Sequence, residues 1–320
     1  MNYKPILINS GEPYSVFLEI FFKTIKKNRF KRPIILVSSQ KLLLSQMKSL
    51  KFNIKINMID SNNINFKKLS LKKINLINVN LKFKKPFDRL SSKTNGYLET
   101  SFNICIKLLK TKKFSGFING PISKSNFLKE KFLGITEYLA NKTKTKKVAM
   151  LIYNSRLSVS PITTHLPLKS VHSSISKKKI IDHFLLINNF YKKHLKKSPR
   201  IAITGLNPHC ESNYKSSEED SIIKPAIKYL KNKRYKIDGP FPADTIFMKL
   251  NAKKYDVIIG MYHDQVLTPI KTIFGFDAIN ITLGMPFIRI SPDHGPNTKM
   301  LGKNLSDPTS LIKAIKFLDK

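Results

Sequence analysis

Tryptophan is missing from this 320-residue chain, and cysteine occurs only as Cys105 and Cys210. Two thiols cannot build a disulfide framework, which excludes the stapled secreted scaffolds and fits a reducing compartment. No apolar run approaches the roughly 18 residues of a membrane span. The first residues, Met1 to Pro5, lead straight into a strand-like run rather than a signal peptide, so a cytoplasmic protein is the expectation. None of the twelve glycines takes the G-x-G-x-x-G spacing, which removes the Rossmann dinucleotide fingerprint. The G-x-x-x-x-G-K-[ST] phosphate loop is missing as well, so a dinucleotide would need another scaffold.

Arginine is also scarce: seven residues against 51 lysines, within a formal net charge of +38. That charge by itself would point to nucleic acid or an anionic membrane. Yet arginine is the residue that reads bases and forks onto phosphates. The lysines are spread through every segment beside abundant Ile and Asn, as compositional drift with solvated lysines would leave them. Nucleic acid is therefore not the expected partner, and no membrane association is expected.

What is present is a globular chain, 41% hydrophobic, in which short β-type runs alternate with helical patterns, as a parallel α/β architecture requires. Strands are predicted at Ile6-Leu7-Ile8, at Ile34 to Val37 and from Gly116 into the Gly120-Pro121 turn. Further strands are predicted at Ala149 to Ile152 with Leu157 to Val159 as a hairpin, from Ile201, from Val257, and from Ala278 to Leu283. Apolar positions at 180, 184, 187, 191 and 195 form the stripe of an amphipathic helix over 177–196. His172, His183 and His194 read as its surface or interface residues. Residues 41–92 carry no legible function.

Three histidines share one context. His165, His209 and His263 each follow a β-type run, at the end where an open α/β sheet places its ligand crevice. Three imidazoles from separate loops can hold a divalent cation and leave a position open; hydrogen-bonding loop histidines are the ordinary alternative. Cys210 reads as a packed thiol, because a fourth ligand would close that position. Asp264 can orient the adjacent His263 from behind; Asp244, in a turn before a helix, reads as an N-cap. Glu218-Glu219-Asp220 suits the start of a helix. Lys271 and Arg289, set between two glycine-terminated strands, are the cationic candidates for an anionic substrate.

The motifs GPISK (120–124), GITEYLA (134–140), TTHLPL (163–168), GLNPH (205–209) and DGPFPADT (238–245) run in a recognisable order. MYHDQ (261–265), NITLGMPFIR (280–289) and DHG (293–295) complete it. The chain closely resembles the PdxA family of 4-hydroxythreonine-4-phosphate dehydrogenases, over nearly its whole length. The resemblance implies two α/β/α lobes of the isocitrate/isopropylmalate dehydrogenase type with a cleft between them, not a Rossmann fold. The expected division is 1–130 with 296–320, and 131–295. It implies a homodimer with the active site shared across the interface. The metal would be Zn, Mg or Co, one ion per site, on His165, His209 and His263, with His165 given across the interface. Thr136, Lys271, Asn280 and Arg289 match substrate-contacting positions. The implied reaction is oxidation of 4-phosphooxy-L-threonine at C3 by NAD or NADP, then decarboxylation to 3-amino-2-oxopropyl phosphate, with Asp244 or Asp264 as candidate bases. Residues that bind the cofactor are not assigned.

The chain departs from the family pattern in three places. The start of the form GEPAGIGPE reads Gly11-Glu12-Pro13-Tyr14-Ser15-Val16-Phe17-Leu18-Glu19. Ile135 stands where the family has a substrate-contacting histidine, and Pro296-Asn297 follows the last motif in place of Thr-Ala. Two other readings stay open: a related dehydrogenase for another phosphorylated or hydroxy-acid substrate, and a non-catalytic basic binding protein.

Overall fold

The computed structural model describes residues 3–88, 92–123, 127–128, 132, 134–210, 217–275, 277–292 and 295–320. Lys124 of the GPISK motif and Asp293-His294 of DHG lie outside these residues. The chain divides into two compact units, residues 1–144 with 285–320, and residues 145–284.

In the first unit, β1 (Ile6–Asn9), β2 (Ile34–Ser38), β3 (Ile56–Met58), β4 (Ile74–Asn78) and β5 (Gly116–Asn119) form a parallel sheet with the late strand β12 (Arg289–Pro292). The order is β3-β4-β2-β1-β5-β12. Strands β1, β2 and β5 are buried throughout, as the near-continuous apolar runs of a parallel sheet covered on both faces should be. Helices α1 (Phe17–Lys27), α2 (Gln40–Ser49), α3 (Ser92–Lys110), α4 (Ile135–Lys142) and the closing α10 (Thr309–Leu318) accompany it.

This division differs from the expected boundaries at two points, and packing contacts accompany each. Arg289 pairs in register with Phe117 of β5, which brings 285–295 into the first unit. Tyr138 of α4 stacks edge-on against Phe102 and Phe127, with ring centroids 5.8 and 5.2 Å away, and so keeps the segment before 145 there too. The altered start, Tyr14 to Leu18, is accommodated by burial. Phe17 opens α1 fully buried, and Ser15 Oγ donates to the Glu12 carbonyl at 2.9 Å.

The second unit contains β6 (Ala149–Tyr153), β7 (Ser158–Pro161), β8 (Ile201–Thr204), β9 (Ile237–Phe241), β10 (Val257–Gly260) and β11 (Ile279–Leu283), in the order β11-β6-β7-β10-β8-β9. The predicted hairpin is present, with Ile152 opposite Val159. The β7, β10, β8 and β9 strands run parallel, with Ile258 beside both Val159 and Ala202. That arrangement decides where the chemistry lies. The C-terminal ends of β7, β8 and β10 open on one edge, and the loops bearing His165, His209 and His263 leave from it. Val159, Ala202 and Ile258 pack with Val266 and Ile270 beneath that edge. Helix α5 (Lys177–Phe190) continues as a π-helical turn to Leu195, and α6 (Lys224–Asn232) follows a similar turn at Glu219–Ile223. The short helices α7 (Ala243–Ile246) and α8 (Lys249–Ala252) precede β10, and α9 (His263–Phe274) follows it. His172 and His194 are exposed as expected, but His183 is 6% exposed because Phe184 and Ile187 draw that face of α5 inward. No helix among the described residues is long and apolar enough to cross a membrane.

Candidate active site

In the second unit, His165 and His263 meet. Their rings lie 6.2 Å apart, centre to centre, on a cavity of about 270 Å³. Thr163, Thr164, Tyr262 and Asp264 line it with them, and Leu166, Leu168 and Val171 form its apolar side. The two loops are joined by backbone: Ile162 N–H donates to the Gly260 carbonyl at 2.8 Å, and Thr163 N–H to that of Met261 at 3.2 Å. The Thr163 hydroxyl donates to the same Met261 carbonyl at 2.8 Å. His263 is the first residue of α9 rather than a loop residue, and its Nδ1 lies 2.6 Å from Asp264 Oδ1. A carboxylate on one ring nitrogen fixes the ring and leaves the other for a ligand. Asp264 is thereby engaged as an orienting group.

Two imidazoles are donors that a divalent ion takes. An imidazole bound at about 2.0–2.1 Å puts its ring centre about 3.2 Å from the metal, so two rings on one tetrahedral ion lie about 5.2 Å apart. The observed 6.2 Å is wider, so the two rings are neighbours that would have to draw together by about 1 Å to share an ion. His209 does not line this cavity, and no three His, Cys, Asp or Glu side chains converge as a metal set among the described residues. His209 is exposed, and it and Cys210 sit in the left-handed region at φ 56° and 60°. Cys210 is half-buried, and burial raises its thiol pKa.

Glu219 does more than start a helix. Its buried carboxylate accepts from Leu206 N–H and Asn207 N–H at 2.7 and 2.9 Å and from Asn207 Nδ2 at 2.9 Å. Burial would raise its pKa, but the hydrogen bonds from Asn207 and Leu206 hold it below the usual carboxylate value. Asp244 is exposed in the first turn of α7; the N-cap there is Pro242, so the N-cap expectation is corrected. Lys271 is exposed in the last turn of α9. Asn280 sits on β11 opposite Ile152, and its buried Oδ1 has no hydrogen-bond partner.

In the first unit, Arg289 is 1% exposed. Its Nε donates to Asn119 Oδ1 at 2.7 Å and a terminal nitrogen donates to Thr136 Oγ1 at 3.0 Å. Burial lowers the guanidinium pKa to about 10, with nearby Glu137 opposing the shift, so it stays cationic at neutral pH. Ile135, half-buried, is the first residue of α4, next to Thr136. Asn119 and Gln265 were not singled out as site residues in the sequence. Asn119 ends β5 just before Gly120 and Gln265 follows the β10 run that ends in Gly260, and that position is the one signal that could have marked them.

The sequence profile of the family described as pyridoxal phosphate biosynthetic protein PdxA matches residues 29–318. A protein of Sulfurihydrogenibium sp. named 4-hydroxythreonine-4-phosphate dehydrogenase is 37% identical over 317 residues, 98% of this chain and 96% of that one. One of the same name from Wigglesworthia glossinidia brevipalpis is 33% identical over 320 residues, 97% of this chain and 94% of that one. A crystal structure of 4-hydroxythreonine-4-phosphate dehydrogenase from Klebsiella pneumoniae superposes with a TM-score of 0.86 at 26% identity, over 99% of this chain and 98% of that one. Sequence profile, full-length relatives and fold agree: the chain belongs to the PdxA family of pyridoxal phosphate biosynthetic proteins and is an oxidoreductase.

Proposed function

We propose that the chain oxidises 4-phosphooxy-L-threonine at C3 with NAD(P)+ and decarboxylates the product to 3-amino-2-oxopropyl phosphate, on the route to pyridoxal phosphate. The observation that carries this reading is the full-length likeness to relatives named for that dehydrogenase activity. Hydride leaves C3 for the nicotinamide, and the hydroxyl proton goes to a base. The bond to the carboxylate then breaks, its electron pair forms an enolate, CO2 departs, and a proton returns to carbon. Arg289, cationic and held by Asn119 beside Thr136, suits an anionic group of the substrate. Lys271 supplies a second cation. The unpartnered Asn280 Oδ1 suits a donor on the substrate, since a buried acceptor left unmade costs about 1–3 kcal/mol. With Asp264 engaged on His263, Asp244 is the remaining candidate base.

One divalent ion would be held by His165 and His263 of one copy and His209 of a second, in a homodimer. A bound ion of this kind supplies a lowered hydroxyl pKa and charge stabilisation for the enolate. This arrangement departs from the expectation that His165 is the ligand that crosses, because His165 lies beside His263 in its own chain.

The test is NAD(P)H formation from 4-phosphooxy-L-threonine with metal supplied, for the wild type and for Ile135→His. Activity in the wild type, raised roughly 10- to 100-fold in kcat/KM by the histidine, is the expected outcome for one restored charged hydrogen bond. Activity in neither protein with metal bound would refute this substrate. Ile135 would then point to a related hydroxy acid lacking the group that a histidine contacts.

A further inference from the structure

The loops after β8 and β10 meet on one side chain that the proposed chemistry does not use. Gln265 is 9% exposed and engages both ends of its amide. Its Oε1 accepts from Met261 N–H at 2.7 Å and from the Thr204 hydroxyl at 2.8 Å, while Nε2 donates to the Gly205 carbonyl at 2.8 Å. A flipped amide would set donor against donor at Met261 and acceptor against acceptor at Gly205, so the orientation is determined by its partners. Met261 in turn accepts through its carbonyl from Thr163 N–H and Oγ1. One side chain and one residue's two peptide groups therefore join the loops after β7, β8 and β10.

Two glycines allow the close approach. A Cβ on Gly260 would stand 3.0 Å from Gln265 Oε1 and 2.4 Å from Val266 Cγ1; one on Gly205 would stand 2.6 Å from Cys210 Sγ and 3.0 Å from Glu219 Oε1. The loop after β8 is thus clamped on one side by Gln265 and on the other by Glu219. Directly beyond the clamp, His209 and Cys210 adopt left-handed backbone that neither residue prefers. Such conformations persist only where the surroundings over-determine them.

We propose that Gln265 is a positioning residue that sets the direction of His209 by holding its loop against the loop bearing His263. The consequence for metal affinity rests on the metal reading given above; the positioning itself does not.

The test uses Gln265→Met, which keeps length and removes all three hydrogen bonds, beside the milder Thr204→Val, which removes one. Amide hydrogen exchange at residues 205–210 and Co2+ titration followed by absorption are measured on the full chain, with His209→Ala in parallel. Faster exchange in that loop with strand β8 still protected, and Co2+ bound roughly 10- to 100-fold more weakly, supports the proposal. Unchanged exchange in a folded Gln265→Met protein overturns it. So does faster exchange with undiminished Co2+ affinity when His209→Ala has lost that affinity. Undiminished affinity in His209→Ala would refute the metal reading instead, and the exchange result alone then decides the role of Gln265.

Discussion

Which histidines share a chain can be decided by mixing inactive subunits. The proposed site takes His165 and His263, whose ring centres lie 6.2 Å apart, from one chain and His209 from a second copy. In a two-fold dimer, random mixing of His165→Ala and His209→Ala subunits makes about half of the dimers mixed, each with one intact site, so about a quarter of wild-type activity returns. Mixing His165→Ala with His263→Ala returns nothing, because every site contains one damaged chain contributing the pair. The assay is NAD(P)H formation after co-refolding or co-expression, against each variant alone. If His165→Ala with His263→Ala regains about a quarter of the activity instead, then the His165 and His263 of one site come from different chains. The same-chain pairing drawn from the ring geometry would be refuted.

Three further outcomes are expected. Arg289→Lys keeps the charge but loses the fork between Asn119 and Thr136. Leaving Asn119 Oδ1 unpaired should cost about 1–3 kcal/mol in denaturant unfolding, with kcat/KM falling at least tenfold; wild-type kinetics would refute the substrate role. His183 lies 2.6 Å from Ser160 Oγ, and burial, with Lys179 adding, lowers its pKa to about 3. The unfolded imidazole takes up a proton near pH 6.5 while the folded one does not, so stability falls as pH drops below about 6.5 and the loss levels off only near 3. At pH 5 its share is about 2 kcal/mol, which thermal melts of His183→Asn should lack. Chelation should abolish turnover and Co2+ restore it; full activity after exhaustive chelation would refute the histidine metal site.

Much of the site was legible because strand ends carry chemistry in parallel α/β sheets. Gly260 and Gly284 mark the ends of β10 and β11, and the runs before His165, His209 and His263 are strands. Residues 41–88 resisted reading because β3, at the sheet edge, is not buried, and the segments around it are largely exposed, where lysine and asparagine are tolerated; of the two strands there only β4, between β3 and β2, is buried. His183 was misread because its helical position does not tell which face the neighbouring phenylalanine and isoleucine turn inward. Glu219 looked like a helix-start acid and turned out also to hold backbone N–H groups twelve and thirteen residues earlier.

The sequence by itself determined the α/β class, the absence of a Rossmann fingerprint, the three histidines and the family. Those rest on local periodicity and short motifs, which are written along the chain. Only the tertiary structure decided that β7, β10 and β8 lie side by side, that His165 pairs with His263, and that 285–295 joins the first unit. It also showed one buried glutamine tying the loops after β8 and β10 together, with the Met261 carbonyl carrying the tie on to Thr163. Strand order and side-chain convergence depend on contacts between residues far apart in sequence, and no local pattern specifies which distant partner a buried amide will find.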